Sequence, residues 1–307
     1  MILGVHHAAL RVGDVEEAGA RWSRLHGLSE AAEADGERAL LRCAYEDFCL
    51  ELRHSDDDPG VEHVAYELRS GIGLGAASER IGGAGEQAEE VEVPLRGPGL
   101  RLTDPDGNRI VLVERLIADD RKPAVARFTD ELPAYHPRRL QHFNYLTADA
   151  PRAAEWYERV LGLGVSDWIG EGAVWMHADR DHHVVAFLDK GYSHIHHLAF
   201  ELVDWGEMRV ALDHLAQHRR PIAWGPGRHT MAQNLFAYCR MVEEEVFVEL
   251  FCDMEQLEPD HEPRLFADDP HGSNAWGILP PRSYFRFDQA AIEAELEQLE
   301  AQQGLRE

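Results

Sequence analysis

No stretch of this chain stays apolar for anything near the about 20 residues that a helix needs to cross a bilayer. The opening MILGVHHAALRVGD lacks the basic, apolar and small-residue zones of a signal peptide, so a soluble, cytoplasmic protein without membrane contact is expected. Cysteine is scarce, and Cys43, Cys49, Cys239 and Cys252 form no CxxC pair, which reads as buried free thiols in a reducing compartment. Basic residues are few, 30 against 56 acidic, and the formal charge of -26 leaves no basic face for nucleic acid. What remains is a chain of 307 residues, long enough for two domains, whose 44% hydrophobic content allows sizeable cores. Histidine stands out with 18 copies. Several come as pairs (His6-His7, His182-His183, His196-His197) inside apolar runs, where an unpartnered polar ring is costly.

An internal repeat organises the chain. HHAALRVGDVEEAGARWSRLHGL opens one half and QHFNYLTADAPRAAEWYERVLGL the other. His7 matches His142 at an offset of 135, Trp22 matches Trp156 at 134, and Gly27 matches Gly162 at 135. EHVAYEL recurs as HHLAFEL, matching His63 to His197 at 134, and Gly97-Pro98-Gly99 recurs at Gly225-Pro226-Gly227 at 128. Each half reads strand, helix, several strands. Asp14 and Asp149 suit helix N-caps, and Gly27 and Gly162 suit C-caps. CAYEDFCLEL, AVWMHA, HHVVAFL, LAFEL and VFVELF are strand candidates, and DPDGN at Asp104–Asn108 predicts a hairpin turn.

These patterns predict a first domain over residues 1–117, a linker over 118–138, a second domain over 139–255 and a tail over 256–307. The tail has no counterpart in the first half; it contains WGILPPRSYF, a lid or an oligomer contact, and ends in an acidic helix.

His142, His197 and Glu249 each adjoin or lie in short apolar strands. Taken singly, such a His is ordinarily a hydrogen-bonded core group, and such a Glu a solvent-facing strand residue. Taken together at repeat-matched positions, they make a 2-His-1-carboxylate set, which holds Fe(II) and leaves positions open for O2 and a substrate. In the first half His7 and His63 match two ligands, but Val111 falls where Glu249 would be, so no metal is expected there. Glu114 would point away from the face of Val111. The second half also gains ten residues between its GPG and the carboxylate, including His229 and Tyr238, and carries His183 where the first half has Phe48. Proton-handling side chains thus accompany the complete ligand set.

With these motifs the sequence resembles the type I extradiol ring-cleaving dioxygenases of the vicinal oxygen chelate superfamily, such as 2,3-dihydroxybiphenyl 1,2-dioxygenase and catechol 2,3-dioxygenase. The resemblance spans roughly residues 3–253. It implies an α+β fold of two tandem domains, each a pair of βαβββ modules. It implies Fe(II) or Mn(II) on His142 (in LQHF), His197 (in IHHLAFEL) and Glu249 (in VFVELF), a homo-oligomer, and cleavage of a catechol-type diol by O2 to a muconic semialdehyde-type product. His183 takes the acid–base role, and His229 with Tyr238, in a GRH motif and nine residues after it, would bind the diol oxygens. Met231, Ala232 and Gln233 depart from the family pattern after GRH, which leaves Asn234 as the candidate partner of His229. Glu245 is the weaker alternative to Glu249. Trp224 stands just before GPG where relatives acting on carboxylated catechols often carry Arg; with Trp175 it favours an uncharged, apolar or aryl-substituted catechol. Other readings are a glyoxalase or isomerase, which needs a second Glu from another module, and a metal-free binding protein like the bleomycin-sequestering members.

Overall fold

The computed structural model describes residues 1–43, 46–115, 135–269 and 271–288, with a few positions between 290 and 297. Most of the expected linker and of the acidic C-terminal helix lies outside the described residues. The first half runs β1 (Ile2–Val12), α1 (Val15–His26), β2 (Ser29–Ala32), β3 (Arg38–Arg42), β4 (Leu50–His54), then β5 (Gly60–Leu68), α2 (Leu74–Gly83), β6 (Glu89–Val93), β7 (Gly97–Thr103) and β8 (Arg109–Val113). The second runs β9 (Arg139–Thr147), α3 (Ala150–Trp156), β10 (Gly164–Ile169), β11 (Ala173–His177), β12 (Val185–Asp189), then β13 (His194–Glu201), α4 (Trp205–Gln217), β14 (Ile222–Arg228), β15 (Leu235–Met241) and β16 (Val246–Cys252). Each half is therefore two βαβββ modules.

The sheets are ordered β2-β3-β4-β1-β5-β8-β7-β6 and β14-β15-β16-β13-β9-β12-β11-β10-β17. Read from the other edge, the second order repeats the first, and the tail adds β17 (Arg264–Phe266) parallel to β10. Asp14 and Asp149 cap their helices by accepting from the Glu17 and Arg152 amides at 2.8 and 2.9 Å, each cap contributing roughly 1 kcal/mol. Gly27 (φ 65°) closes α1, and Gly162 (φ 72°) closes the π-helical turn Tyr157–Leu161 that continues α3, both in the left-handed region. One apolar core runs through both halves: Trp22 and His26 of α1 pack on Phe200 of β13, and Tyr66 of β5 meets Phe143 of β9 edge-on. Among the described residues no helix is long and apolar enough to cross a membrane.

Two expectations fail. The strand expected over 43–52 begins only at Leu50, because Asp47 is pinned in the preceding turn by Arg96 and His6. The GPG repeat is not a structural one: Gly97–Gly99 lie in β7, whereas Gly225–Gly227 lie in β14, the counterpart of β6. In register, Glu89 faces Arg101 as Trp224 faces Tyr238, so the segments differ by two residues (12 against 14), not ten.

Candidate metal centre and active site

Strand alternation builds the site. On β9, Phe143 and Tyr145 enter the core while His142 and Asn144 face a cavity of about 500 Å³. On β13, Leu198 and Phe200 enter the core and His197 faces the cavity; a register shift between Ile195 and His197 lets His196 line it too. On β16, Val248 and Leu250 face the core and Glu249 the cavity. Glu249 is thus fully buried, not solvent-facing. Glu245 sits in the turn before β16 with φ 52° and does not line the cavity.

The hydrogen-bond network strips both imidazoles for metal binding. Gln141 donates from Nε2 to the His183 carbonyl (2.9 Å) and Asp181 (3.2 Å), so its Oε1 must accept the Nδ1 proton of His142 (2.7 Å). His196 donates from Nε2 to the Tyr284 carbonyl (2.8 Å), and its bare Nδ1 accepts from His197 Nδ1 (2.9 Å). Burial pulls the His197 imidazole down to about 4, so it is neutral near pH 7. Burial alone would raise the Glu249 carboxyl, but the imidazoles of His142, His197 and His229 hold it well below the usual range. The proton-free Nε2 atoms of His142 and His197 then lie 3.0 and 3.1 Å from one ionised oxygen of Glu249. Lone pairs facing a carboxylate at that distance require a shared cation: a proton, or a metal ion for which the three are suitable donors. The ligand-type atoms of the three residues all lie within 4.8 Å of one another.

The expected acid–base residue is prepared in the same way. Asp167 is held ionised by Arg264 (2.7 and 2.9 Å) and accepts from His182 Nε2 (2.7 Å). The bare His182 Nδ1 accepts from His183 Nδ1 (3.1 Å), leaving Nε2 of His183 without a proton in a side chain that lines the cavity. Burial, then the neighbouring His142 and His182, push the His183 imidazole well below its ordinary range. Its ring centroid lies 4.2 Å from that of His142. His229 donates from Nδ1 to the Ser273 carbonyl (2.7 Å), and its Nε2 accepts the Tyr238 hydroxyl (3.1 Å). Burial, with the Glu249 charge, pushes the Tyr238 phenol far up, so it stays a donor. Trp224 stacks on Tyr238 at 5.5 Å and, with Trp175, lines the cavity; Met176, beside Trp175, points into the core.

All eight residues singled out in the sequence line one cavity. Their supports were missed. Gln141, His182, Asp167 and His196 could have been suspected from the paired histidines and a glutamine inside an apolar run. Asn234 bonds the free oxygen of Glu249 (3.0 Å), while the ring of His229 is held by Ser273. In the tail, Ile278 and Tyr284 lie in WGILPPRSYF, which the sequence offers as a lid or an oligomer contact, and they hold Trp224 and His196; Arg264 and Ser273, which hold Asp167 and His229, carry no signal in the sequence.

In the first half His7 and His63 are also brought together, Nε2 to Nε2 at 3.1 Å. Glu114 is not with them; it accepts from the Leu74 amide at the start of α2. Val111 faces Ala65 as Glu249 faces Ala199, as the alignment required. The carboxylate nevertheless returns from another strand, because Glu51 of β4 joins His7 and His63 within 4.8 Å. The first half thus holds a second group of three donors, which Val111 on β8 alone does not reveal.

Two halves of paired βαβββ modules make a glyoxalase-like, vicinal oxygen chelate fold. Residues 139–247 match the model of the Glyoxalase/Bleomycin resistance protein/Dioxygenase superfamily. The chain is similar to extradiol dioxygenases. It is 29% identical over 250 residues to metapyrocatechase 2 of Cupriavidus necator, covering 76% of each chain. It is 25% identical over 281 residues to a manganese-dependent 2,3-dihydroxybiphenyl 1,2-dioxygenase of Geobacillus genomosp. 3, covering 84% of this chain and 87% of the relative. In fold it superposes on homoprotocatechuate 2,3-dioxygenase of Brevibacterium fuscum, solved with 3,4-dihydroxyphenylacetate, with a TM-score of 0.82, 23% identity and coverage of 92% and 91%.

Proposed function

We propose that the chain cleaves a catechol-type ring beside its diol with O2, using Fe(II), or Mn(II) on the same ligands, held by His142, His197 and Glu249. The observation that carries this reading is the convergence of two stripped Nε2 atoms on one ionised Glu249 oxygen, beside a cavity lined by His183, His229 and Tyr238. When bound, the metal supplies the positive charge that acidifies the diol and the electrons that make O2 reactive. His183 takes a proton from a diol hydroxyl at Nε2 and returns it to an oxygen of the opening ring. Tyr238 turns its O–H from His229 to a diol oxygen, and Nε2 of His229, with Nδ1 fixed on the Ser273 carbonyl, is then free to accept a hydrogen bond from a diol hydroxyl.

The substrate is an uncharged catechol with an aryl or alkyl substituent. Ile169, Trp175, Leu188, Trp224 and Leu279 give the cavity apolar walls, and among the described residues Asp189, Asp268 and Asp269 line it against one lysine, Lys190, and no arginine. A carboxylated catechol would face that excess of negative charge. The residues around Tyr284 and Ser273 act as a fixed cover of the site. The exposed Trp205–Trp276 pair, centroids 6.4 Å apart, supports a homo-oligomer contact. Four buried thiols, with Cys43 and Cys49 unbonded at 3.4 Å, suit a cytoplasmic setting.

Oxygen uptake and yellow product are to be followed on 3-phenylcatechol, catechol and 3,4-dihydroxyphenylacetate. We expect kcat/KM for the aryl diol to exceed that for the carboxylated one by about 10–100-fold, the scale of one to three kcal/mol of pocket discrimination. No turnover of any diol by the metal-loaded protein would refute the activity; preference for the carboxylated diol would refute the substrate class. A glyoxalase-type reaction is disfavoured because Glu249 is the sole carboxylate in the ligand group of that half among the described residues.

A further inference from the structure

The first half repeats the metal centre with its carboxylate on a different strand. His7 faces Ala65 and His63 faces Ala9 across β1 and β5, as His142 faces Ala199 and His197 faces Asn144 across β9 and β13. Glu51 of β4 lies beside Ala9, where the second half has Ala186 beside Asn144. Val111 and Ala186 therefore occupy the two positions from which a carboxylate can reach the histidine pair, and each half fills the other one. His7 and Glu51 are buried, and a cavity of about 160 Å³ adjoins all three residues.

The first-half network also prepares a ligand. Asp47, paired with Arg96 (2.5 and 3.0 Å), accepts from His6 Nε2 at 3.2 Å. The bare His6 Nδ1 then accepts from His7 Nδ1 (2.6 Å), so Nε2 of His7 carries a free lone pair toward His63. An Asp–His–His chain thus points a stripped nitrogen at the centre, the arrangement that fixes the ligating tautomer of a metal-binding histidine.

We infer that His7, Glu51 and His63 form a second site for a divalent transition-metal ion of the Zn(II) type, and that this site is not catalytic. Two imidazoles and a carboxylate are donors of that class. Phe48 packs on His7 (centroids 4.6 Å) in the place of His183, and Arg101 stands beside Val111 where Tyr238 stands beside Glu249. Among the described residues that line this cavity there is no hydroxyl side chain and no histidine besides the two ligands. Arg38 (2.9 Å) and Arg53 (3.7 Å) both engage Oε1 of Glu51, so the ion shares its carboxylate with cations. Affinity at this site is at least about tenfold weaker than at the second-half site, because like charge nearby opposes the ion.

The inference is independent of ring cleavage and is tested by equilibrium dialysis of the full-length chain against Zn2+. The wild type should bind two equivalents, and Glu51→Gln and His63→Ala one each, with catechol cleavage by the iron-loaded variants within about twofold of wild type. His142→Ala should keep one equivalent, and adding Glu51→Gln should remove it. Circular dichroism checks folding, and the near-isosteric Glu51→Gln decides if His63→Ala does not fold. A wild type that saturates at one equivalent, a His142→Ala variant that binds none, or a Glu51→Gln variant that still binds two overturns the second site. Because His142→Ala reads the first half alone, that failure is separable from a failure of the proposed activity.

Discussion

The two halves share strand order, pairing register and a buried pair of histidines, yet Phe48, Arg101 and Val111 stand in one where His183, Tyr238 and Glu249 stand in the other. Backbone geometry is common property; the proposed chemistry resides in three side chains and in what supports them. The fold alone does not specify an active site. The outer partners of the histidines differ as well. Gln141 orients His142, whereas its counterpart His6 orients His7.

Copying the first half into the second is the most damaging way to probe this difference. Glu249→Val, which reproduces Val111, removes the only anionic ligand of the proposed catalytic centre. Oxygen uptake with a catechol should fall to background, and the iron bound at that centre should be lost in metal analysis. His183→Phe reproduces Phe48 and leaves the ligands in place. The turnover rate should drop about 10²–10⁴-fold while metal content and anaerobic diol binding stay near wild type. Retention of the full rate would remove His183 from the reaction. Gln141→Ala acts one step further out, freeing His142 to place its proton on Nε2. Metal affinity should fall about 10–100-fold in a competition titration.

The smallest effect lies where the halves meet, at His26 of α1. Burial, then Arg220 and His214, pull its imidazole to about 3 from the ordinary 6.5. The unfolded chain therefore binds a proton that the folded chain refuses. Stability is complete above pH 6.5 and is lost as the pH falls toward 3, by about 1.4 kcal/mol between pH 7.5 and 5.5. Urea midpoints at the two pH values measure the loss, and a His26→Phe variant should lose that share of the pH dependence.

The fold was legible because the repeat, the caps at Asp14 and Asp149 and the strand alternation are local signals that long-range packing reinforces. The inner residues of the site were legible because chemistry-bearing side chains interrupted apolar strands. Supports were not, since they come from elsewhere in the chain: the Ser273 and Tyr284 carbonyls are backbone atoms that any residue supplies. Glu51 was not legible, since its ligand position is held by Ala186 in the second half and has no carboxylate counterpart there. The GPG match misled because three small residues recur on strands that are not equivalent.

Anomalous diffraction at the iron or manganese edge from crystals of the metal-loaded protein tests the central assignment most directly. A single strong peak at about 2.0–2.2 Å from Nε2 of His142, Nε2 of His197 and a carboxylate oxygen of Glu249 is predicted in the second half. A peak bound elsewhere, with those three side chains still hydrogen-bonded to one another, would contradict it.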